Sequence, residues 1–505
     1  MNKLRIRLLL SLSGVAIAFA VWHLRLHFPF DDTFISFRYA EHVAAGYGLV
    51  WNIGGPPTEG FTNLLLVLVL ATARLITSDL LVASQIIGLL ATIVTGLTIF
   101  SIVSRTRTTV TGLVAAALFW FTPLTWINAL SGMETSLFVM LCVLAVSFAI
   151  LRKFCSATIL IFLATLTRPE AAMLGVIIFA VMLPFNWHRT AERNRLLKAT
   201  FGFIIALCIF ALWKWWYFGE LLPNSFYVKV LMPTRSVVPG LQYVRLFVTS
   251  VLVLIAASLG IRNWRNPAIL IACFWAISLL LFYLFVVPLE GLYDRFLWPV
   301  LAMLSITAAI GVHDFAARRH LRPLWVFAII VIAMHIALSV LSPRTEQAFA
   351  AHEEVWDASL NPIVNVLRNL PHHDSLRFAY GDAGYVVYKS GINHIDLFGL
   401  NDTRMAHAQT IFARAAIVQS ERPDVMLLPV YSRDSCEAWV EDAYGLARTN
   451  EFVPVATTPA FPFLLVWVLN RNSSYYSDCR EWMLSRIGDT TFALHPAPII
   501  CYSTR

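Results

Sequence analysis

Long apolar runs recur along the first two thirds of the chain and then stop. The first begins near Ile6 and the last ends near Leu341. Several approach the roughly 20 residues that an α-helix needs to cross the hydrocarbon core of a bilayer. From Ser342 to Arg505 the composition is that of a soluble domain. The pattern predicts a polytopic α-helical membrane protein with a C-terminal soluble domain.

The apolar runs predict about eleven transmembrane helices. The stretch from Leu64 to Ile76 is short for a crossing, and we assign it to an interfacial or re-entrant helix. The predicted domains are a transmembrane module at 1–341, whose first extracytoplasmic loop covers 26–80, and an extracytoplasmic α/β domain at 342–505. The helices are predicted near residues 6–25, 81–103, 110–127, 135–151, 156–167, 171–185, 199–217, 244–261, 268–287, 296–313 and 323–341.

Charges in the loops predict which side of the membrane each loop faces. The chain is 58% hydrophobic and 13% charged, with a mean hydropathy of +0.69. Lys3, Arg5 and Arg7 place the N-terminus in the cytoplasm, and every dense Lys/Arg loop then falls on that same side. The net charge of +8 is therefore a topology signal and does not indicate nucleic-acid binding. No small-residue cleavage site follows the first apolar run, so we expect an uncleaved helix.

The segments with unusual polar residues all fall on the extracytoplasmic side in this topology. They are the loop that begins "FPFDD", the motifs "EGFTN", "SGMET", "TRPE", "PNSFYVK" and "EGLYDR", and the C-terminal domain. Their shared side predicts one active face outside the cytoplasm, where no nucleotide-activated substrate is available.

Asp31 and Asp32 are adjacent carboxylates directly after the first apolar run. One interpretation is a helix N-cap, because aspartate favours that position and a helix is predicted from Thr33 to Ala45. The other is chemistry: two carboxylates beside a cavity suit a general base for a hydroxyl, or a metal clamp. Spacing alone favours neither interpretation.

Charged residues at predicted helix ends form the next group of candidates. Arg168 and Glu170 flank Pro169, and charges near membrane depth usually face a protein-lined cavity. An interfacial salt bridge between them is an equal alternative, and Arg38 with Glu41 has the spacing of an ordinary helix pair. Further candidates of this kind are Glu59 in a Gly/Pro-rich loop, Asn224, Lys229, Asp294 and Arg295.

The C-terminal region predicts a small α/β domain. Residues 378–380, 425–430 and 463–469 have the apolar character of strands. Asp382, His394, Asp396 and Asp402 are candidates for a site there, although a structural role is the commoner one for an isolated His or Asp in a loop. Cys436, Cys479 and Cys501 allow one disulfide, and the sequence does not choose the pair.

Several classes of enzyme lack their signatures in this sequence. No CxxC, HExxH, Walker or GxGxxG motif occurs. This argues against a zinc hydrolase, an ATPase and a dinucleotide-dependent enzyme.

An ordered set of motifs carries a family resemblance. The stretch "FPFDDTFISFRYAEHVAAGYGLVWNIGGPPTEGFTNLL" is followed by "SGMET", "TRPE", "LPNSFYVK", "YDRFLWP" and "GDAGYVVYKSGINHIDLFGLND". Together they resemble the GT-C superfamily of glycosyltransferases that use lipid-linked sugars. Within it they are most similar to the terminal arabinofuranosyltransferases of actinobacterial cell walls.

The resemblance implies a function for the candidates. The donor would be a polyprenyl-phosphate sugar, with decaprenyl- or undecaprenyl-phosphoryl arabinofuranose as the specific expectation. Asp31 and Asp32 would be the catalytic pair, and members of the family differ in their use of a divalent metal. The expected donor or substrate ligands are Arg38, Glu59, Arg168, Glu170, Asn224, Lys229, Asp294 and Arg295, and the expected acceptor ligands are Asp382, His394, Asp396 and Asp402.

The resemblance also implies a bacterial plasma-membrane protein of cell-envelope biogenesis with an extracytoplasmic active site. The C-terminal region is shorter than in the cell-wall enzymes, so both a glycan and a protein acceptor stay open. Two other functions are a polyprenyl-linked sugar flippase and a non-catalytic glycan assembly protein. Transporters usually place polar residues at the midplane, whereas the polar motifs here cluster at one predicted face.

Overall fold

The computed structural model describes residues 14, 29–120, 122–230, 240–244, 265–286, 295–318, 356–408, 410–430, 451–460 and 463–496. The chain divides into two compact units. The helical unit comprises Met1–Phe30, Thr62–Leu221 and Thr234–Pro343, and the mixed unit comprises Asp31–Phe61, Leu222–Pro233 and Arg344–Arg505.

The helical unit contains several apolar helices. In the described part of the chain, four are long and apolar enough to cross a membrane: Leu80–Thr106, Thr190–Phe218, Pro267–Phe285 and Trp298–Arg318. Shorter apolar helices cover Leu64–Arg74, Thr135–Ile150, Phe154–Thr167 and Ala171–Asn186. The predicted helices at 6–25, 244–261 and 323–341 lie almost wholly outside the described residues. The count of eleven spans therefore stays a prediction.

The span predicted at 110–127 is two helices, not one. Thr109–Trp120 and Leu124–Leu130 meet at an angle of 61° and would add a fifth span if they cross together. Thr122 has an extended backbone, with φ −88° and ψ 121°. A residue before proline avoids the helical conformation, so Pro123 accounts for the break.

The span predicted at 199–217 starts earlier than expected. The helix runs over Thr190–Phe218 and includes most of the basic segment that we expected to be a loop. Arg195 pairs with Glu192 at 3.2 Å one turn away, and Glu192 lies in the first turn, where a negative charge suits the helix dipole. The helix ends at Gly219, whose φ of +76° lies in the left-handed region that glycine adopts most easily because it has no Cβ.

Close packing of large aromatic side chains against small residues stabilises the helical core. A Cβ added at Gly96 would collide with the indole of Trp120, and the Trp120 Nε1–H donates to the Thr92 carbonyl at 3.1 Å. Trp275 and Trp298 are fully buried in the same core. Small residues at such contacts let membrane helices approach closely.

The mixed unit contains the strands β1 Arg377–Tyr380, β2 Asn393–Asp396, β3 Val425–Val430, β4 Phe452–Ala460, β5 Phe463–Asn470 and β6 His495–Pro496. They form one sheet in the order β2-β1-β3-β5-β4-β6. β1 pairs in parallel with β2 on one side and β3 on the other, and the remaining pairs are antiparallel. The strands predicted at 378–380, 425–430 and 463–469 are confirmed.

Helices accompany these strands within the mixed unit. An early helix at Thr33–Ala44 has its first eight residues, Thr33 to Ala40, buried. The later helices cover Asn224–Val230, Asn361–Asn369, Tyr385–Ser390, Thr403–His407, Ile411–Glu421 and Tyr476–Ser485, with a π-helical turn at Trp356–Leu360 and a 3-10 turn at His373–Ser375. The described cysteine of this unit, Cys479, is a buried free thiol, and Cys436 and Cys501 lie outside the described residues.

The division into units groups residues that we expected in different domains. Asp31–Phe61 belong with the C-terminal residues, whereas the sequence suggested a first loop at 26–80 within the transmembrane module. The predicted boundary between 341 and 342 lies outside the described residues. The domain boundaries therefore stay a prediction.

Candidate functional site

The mixed unit has its switch point at the carboxyl end of β1. The chain leaves β1 towards β2 on one side, while β3 lies on the other side. In open α/β sheets, ligand sites form outside the carboxyl ends of strands at such a point. The segment at this point is Gly381–Gly384, which joins Tyr380 to the helix Tyr385–Ser390.

Asp31 occupies this position. Its Oδ1 accepts a hydrogen bond from the backbone N–H of Tyr385 at 2.8 Å. A Cβ added at Gly384 would collide with the carboxylate of Asp31. The Asp31 side chain is therefore held against backbone that only glycine can provide.

Asp32 lies at the start of the helix Thr33–Ala44. It is the N-cap residue by position, but its side chain makes no capping hydrogen bond. Capping thus fails to explain the carboxylate, and that interpretation of the pair is wrong for Asp32. Both aspartates are half-buried.

Asp382 is the third carboxylate of the group. Its Oδ2 accepts a hydrogen bond from the Tyr380 hydroxyl at 3.3 Å. Partial removal from water by the surrounding protein raises the pKa of Asp382, and the negative charge of Asp32 raises it further. The hydrogen bond from Tyr380 lowers the pKa of Asp382. The Asp382 side chain is nevertheless exposed, so water screens part of these effects. Asp31, Asp32 and Asp382 form what we call the carboxylate cluster.

Arg38 is a structural residue in this arrangement. Its guanidinium donates to the carbonyls of Trp51 at 2.8 Å, Val387 at 3.2 Å and Ile392 at 3.0 Å, and to Asn52 Oδ1 at 3.0 Å. Burial lowers its pKa to about 10, which leaves it charged at neutral pH. These bonds join the early helix to the residues around β2, and they occupy the fork that we expected to bind phosphate.

Three of the four predicted acceptor ligands also have structural contacts. His394 is buried, accepts from Trp51 Nε1–H at 3.1 Å and donates to the Tyr380 carbonyl at 3.1 Å. Burial lowers its pKa to about 3, so the ring is neutral. Asp396 accepts four hydrogen bonds from the turn at 398–401, and burial raises its pKa to about 6. Asp402 caps the helix Thr403–His407.

The segment around Asn224 packs beside the same sheet. The Asn224 N–H donates to the Glu59 carbonyl at 3.1 Å, and its side chain donates to the Leu400 carbonyl at 3.1 Å. Glu59 and Asn224 are both buried. Lys229 is half-buried on the short helix Asn224–Val230. These contacts do not bring Asn224 into the carboxylate cluster.

A second polar group lies within the helical unit. Arg168 is 3% exposed, and it donates to Glu170 Oε1 at 2.9 Å and to the Tyr283 hydroxyl at 2.9 Å. Its Nη1 lies 3.8 Å from Glu134 Oε1 and has no hydrogen-bond partner among the described residues. Tyr283 also donates to Glu170. The salt-bridge interpretation of "TRPE" is therefore confirmed.

Further residues complete this buried ionic group. The Asn63 amide donates to Glu134 Oε2 at 3.0 Å, and Glu134 and Glu170 each stand at the N-terminus of a helix, where negative charge is favoured. The guanidinium groups of Arg168 and Arg295 lie 4.6 Å and 4.7 Å from the centre of the Phe296 ring. Asp294 lies outside the described residues. We call Asn63, Glu134, Arg168, Glu170 and Tyr283 the arginine cluster.

Sequence reasoning missed several of these residues. Glu134 and Asn63 lie in the "SGMET" and "EGFTN" motifs, and an acid in strongly apolar surroundings was the available signal. Gly384 and the Tyr385 backbone carry no such signal, because a backbone N–H has no residue type. Within the described residues no three His, Cys, Asp or Glu side chains are arranged to hold a metal ion.

Residues 351–497 match the profile of a family described as a domain of unknown function, DUF8728. No curated protein matches the sequence.

Solved structures share the fold over most of the chain. ArnT from Cupriavidus metallidurans bound to undecaprenyl phosphate has a TM-score of 0.57 at 14% identity, with 92% of this chain and 98% of that one covered. The same protein in the apo state gives 0.55 at 13%, with 90% and 97% covered. The Archaeoglobus fulgidus oligosaccharyltransferase tethered with an acceptor peptide gives 0.56 at 12%, with 96% and 78% covered.

These similarities define the class of the fold. The chain has the GT-C fold that ArnT and the archaeal oligosaccharyltransferase share. The described residues include four helices long and apolar enough to cross a membrane, which agrees with an integral membrane protein.

Proposed function

We propose that the protein is a membrane glycosyltransferase that transfers a sugar from a polyprenyl-phosphate donor to a hydroxyl of a cell-envelope acceptor. The carboxylate cluster is the observation that carries the proposal. Three acids are grouped at the switch point of the sheet, and proton abstraction from an acceptor hydroxyl uses such a group. The fold agrees, since one similar structure holds undecaprenyl phosphate.

Asp31 is the proposed general base. The Tyr385 N–H fixes one of its oxygens, and the carboxylate would accept the hydroxyl proton as the acceptor oxygen attacks the anomeric carbon. The bond from that carbon to the phosphate oxygen breaks in the same reaction, and the lipid phosphate leaves. Asp32 and Asp382 add negative charge that favours the developing positive charge of the sugar ring.

Arg168 and Arg295 are the proposed ligands for the lipid phosphate. Both are buried, and both lie against Phe296. One nitrogen of Arg168 lacks a hydrogen-bond partner among the described residues, and guanidinium groups bind phosphate oxygens strongly. Arg38 is not included, because the carbonyls of the mixed unit already engage it.

The finer assignments follow the family resemblance alone. The proposed donor sugar is arabinofuranose, the acceptor is an envelope glycan or protein, and the site faces the extracytoplasmic side of the bacterial plasma membrane. The predicted sidedness supports this last point, because a lipid-phosphate donor replaces the nucleotide sugars that are absent there.

Turnover of a radiolabelled polyprenyl-phosphate pentose by the purified protein tests the proposal. We expect wild-type protein to release polyprenyl phosphate and label an envelope acceptor, and Asp31→Ala and Asp32→Ala to lose this activity at normal membrane abundance. Full activity in both variants would remove the pair from catalysis. Lipid-sugar movement across vesicles without turnover would favour a flippase.

A further inference from the structure

We propose that Gly384 and the backbone N–H of Tyr385 position the Asp31 carboxylate for catalysis. The inference rests on the proposed function, since it concerns the base of that reaction. It makes two residues of the C-terminal region part of the active site, where the sequence predicted only acceptor ligands such as Asp382.

The position of the two residues supports this role. They follow β1 at the switch point of the sheet, where α/β proteins usually bind a ligand. Tyr385 begins the helix Tyr385–Ser390, and the first N–H groups of a helix have no partner within it. The Tyr385 N–H donates a hydrogen bond to Asp31 Oδ1, with 2.8 Å between the nitrogen and the oxygen.

Gly384 sets how closely the carboxylate can approach. A Cβ at this position would overlap Asp31 Oδ2, its Cγ and its carbonyl oxygen. Gly381 begins the same segment and differs in this respect, because a Cβ there would meet nothing within 4 Å. The requirement for glycine is therefore local to Asp31 and is not a general property of the segment.

Neighbouring contacts make the position rigid. The rings of Phe34 and Tyr385 pack edge to face at 5.1 Å. The Tyr385 hydroxyl donates to Asn361 Oδ1 at 2.7 Å, and the Tyr388 hydroxyl donates to Glu41 Oε1 at 2.9 Å. The early helix and the helix Tyr385–Ser390 thus hold each other at several points around Asp31. A general base needs such support, because it must lie within hydrogen-bond reach of its proton.

A pair of glycine variants tests the positioning role in the full-length protein. We expect Gly384→Ala to lower kcat by roughly 100-fold, as a displacement of about 1 Å can do, with the donor KM unchanged. Gly381→Ala should keep wild-type kcat and membrane abundance. Equal kcat in wild type, Gly384→Ala and Gly381→Ala would overturn the proposal.

Asp31→Asn separates positioning from simple helix capping. The amide oxygen can still accept the Tyr385 N–H, but it cannot take a proton. We expect this variant to lose transfer. If Asp31→Asn keeps wild-type transfer, Asp31 serves only as a cap and the proposal is wrong.

Hydrogen exchange of the Tyr385 amide gives a measurement that does not depend on activity. We expect slow exchange in wild type, Asp31→Asn and Asp32→Ala, and faster exchange in Asp31→Ala. Equal rates in wild type and Asp31→Ala would show that the contact is absent. If the wild-type protein transfers no sugar while this exchange pattern holds, the contact stands and the proposed function fails.

Discussion

The carboxylate cluster and the arginine cluster solve opposite problems of charge. The first gathers acids of the same sign, half-buried or exposed, with backbone N–H and hydroxyl donors around them. The second encloses a buried arginine between two carboxylates, a tyrosine and aromatic rings. Like charges repel and shift proton affinity, whereas opposite buried charges fix one geometry.

This difference indicates that the carboxylate cluster provides reactivity and that the arginine cluster provides rigidity. Neutralising one acid of the carboxylate cluster relieves repulsion, so we expect lost chemistry with an intact fold. Removing the cation of the arginine cluster leaves buried carboxylates without their ion-pair partner, so we expect a damaged fold.

The largest effect is expected from Asp31→Asn. Loss of a general base lowers the rate by about 10²- to 10⁴-fold, and the loss of one of several like charges should not lower the melting temperature. The initial rate at saturating donor and the Tm in detergent check this. Asp374→Asn, at an exposed site of the same unit, is the control. A fall in Tm together with activity would break the contrast.

Arg168→Ala should act in the opposite way. It leaves Glu134 and Glu170 without their cation, and breaking a buried ion pair costs about 3–5 kcal/mol. We expect low membrane abundance, with partial recovery when Glu134→Gln and Glu170→Gln are added. Arg105→Ala, at an exposed position of the helical unit, serves as the matched control. Normal abundance of Arg168→Ala would assign this arginine to ligand binding alone.

Arg38→Lys tests the structural role of the other arginine. Lysine keeps the charge but lacks the fork, and each carbonyl left unsatisfied costs about 1–3 kcal/mol. We expect a lower Tm, an unchanged donor KM, and no effect from the exposed Arg480→Lys. A raised donor KM at wild-type Tm would restore Arg38 as a phosphate ligand.

The smallest effect concerns the pH dependence of stability. A raised pKa in the folded protein means that the stability Asp382 contributes is present below about pH 4, its unfolded value, and is lost as pH rises through the folded pKa. Asp382→Asn should therefore flatten this part of the curve of Tm against pH. Identical slopes for wild type and Asp382→Asn would show that the pKa of Asp382 is not raised in the folded protein.

Periodicity predicted elements well and contacts poorly. The apolar helices at 135–151, 156–167 and 171–185, and the strand at 425–430, lie close to their observed bounds. Those features depend on local pattern. The break before Pro123 and the early start at Thr190 depend on backbone and pair effects that average hydropathy ignores.

The sequence identified the candidate site residues by their residue type, but it did not show which residues they contact. Asp31, Asp32 and Asp382 were each named from the sequence, yet nothing in it shows that they meet. By residue type, His394, Asp396 and Asp402 are equally suited to catalysis, and only their hydrogen-bond partners show structural roles. Long-range contacts decide such cases, and a single sequence does not display them.

The mixed unit joins residues from distant parts of the chain, which has a consequence for biosynthesis. The helix Thr33–Ala44 leaves the ribosome early, while its partners Val387 and Ile392 lie 349 and 354 residues after Arg38. Contacts of such long sequence separation form slowly. The nascent helix must therefore wait for these later contacts, and a ribosome that stalls before residue 385 releases a chain that lacks the N–H group bound to Asp31.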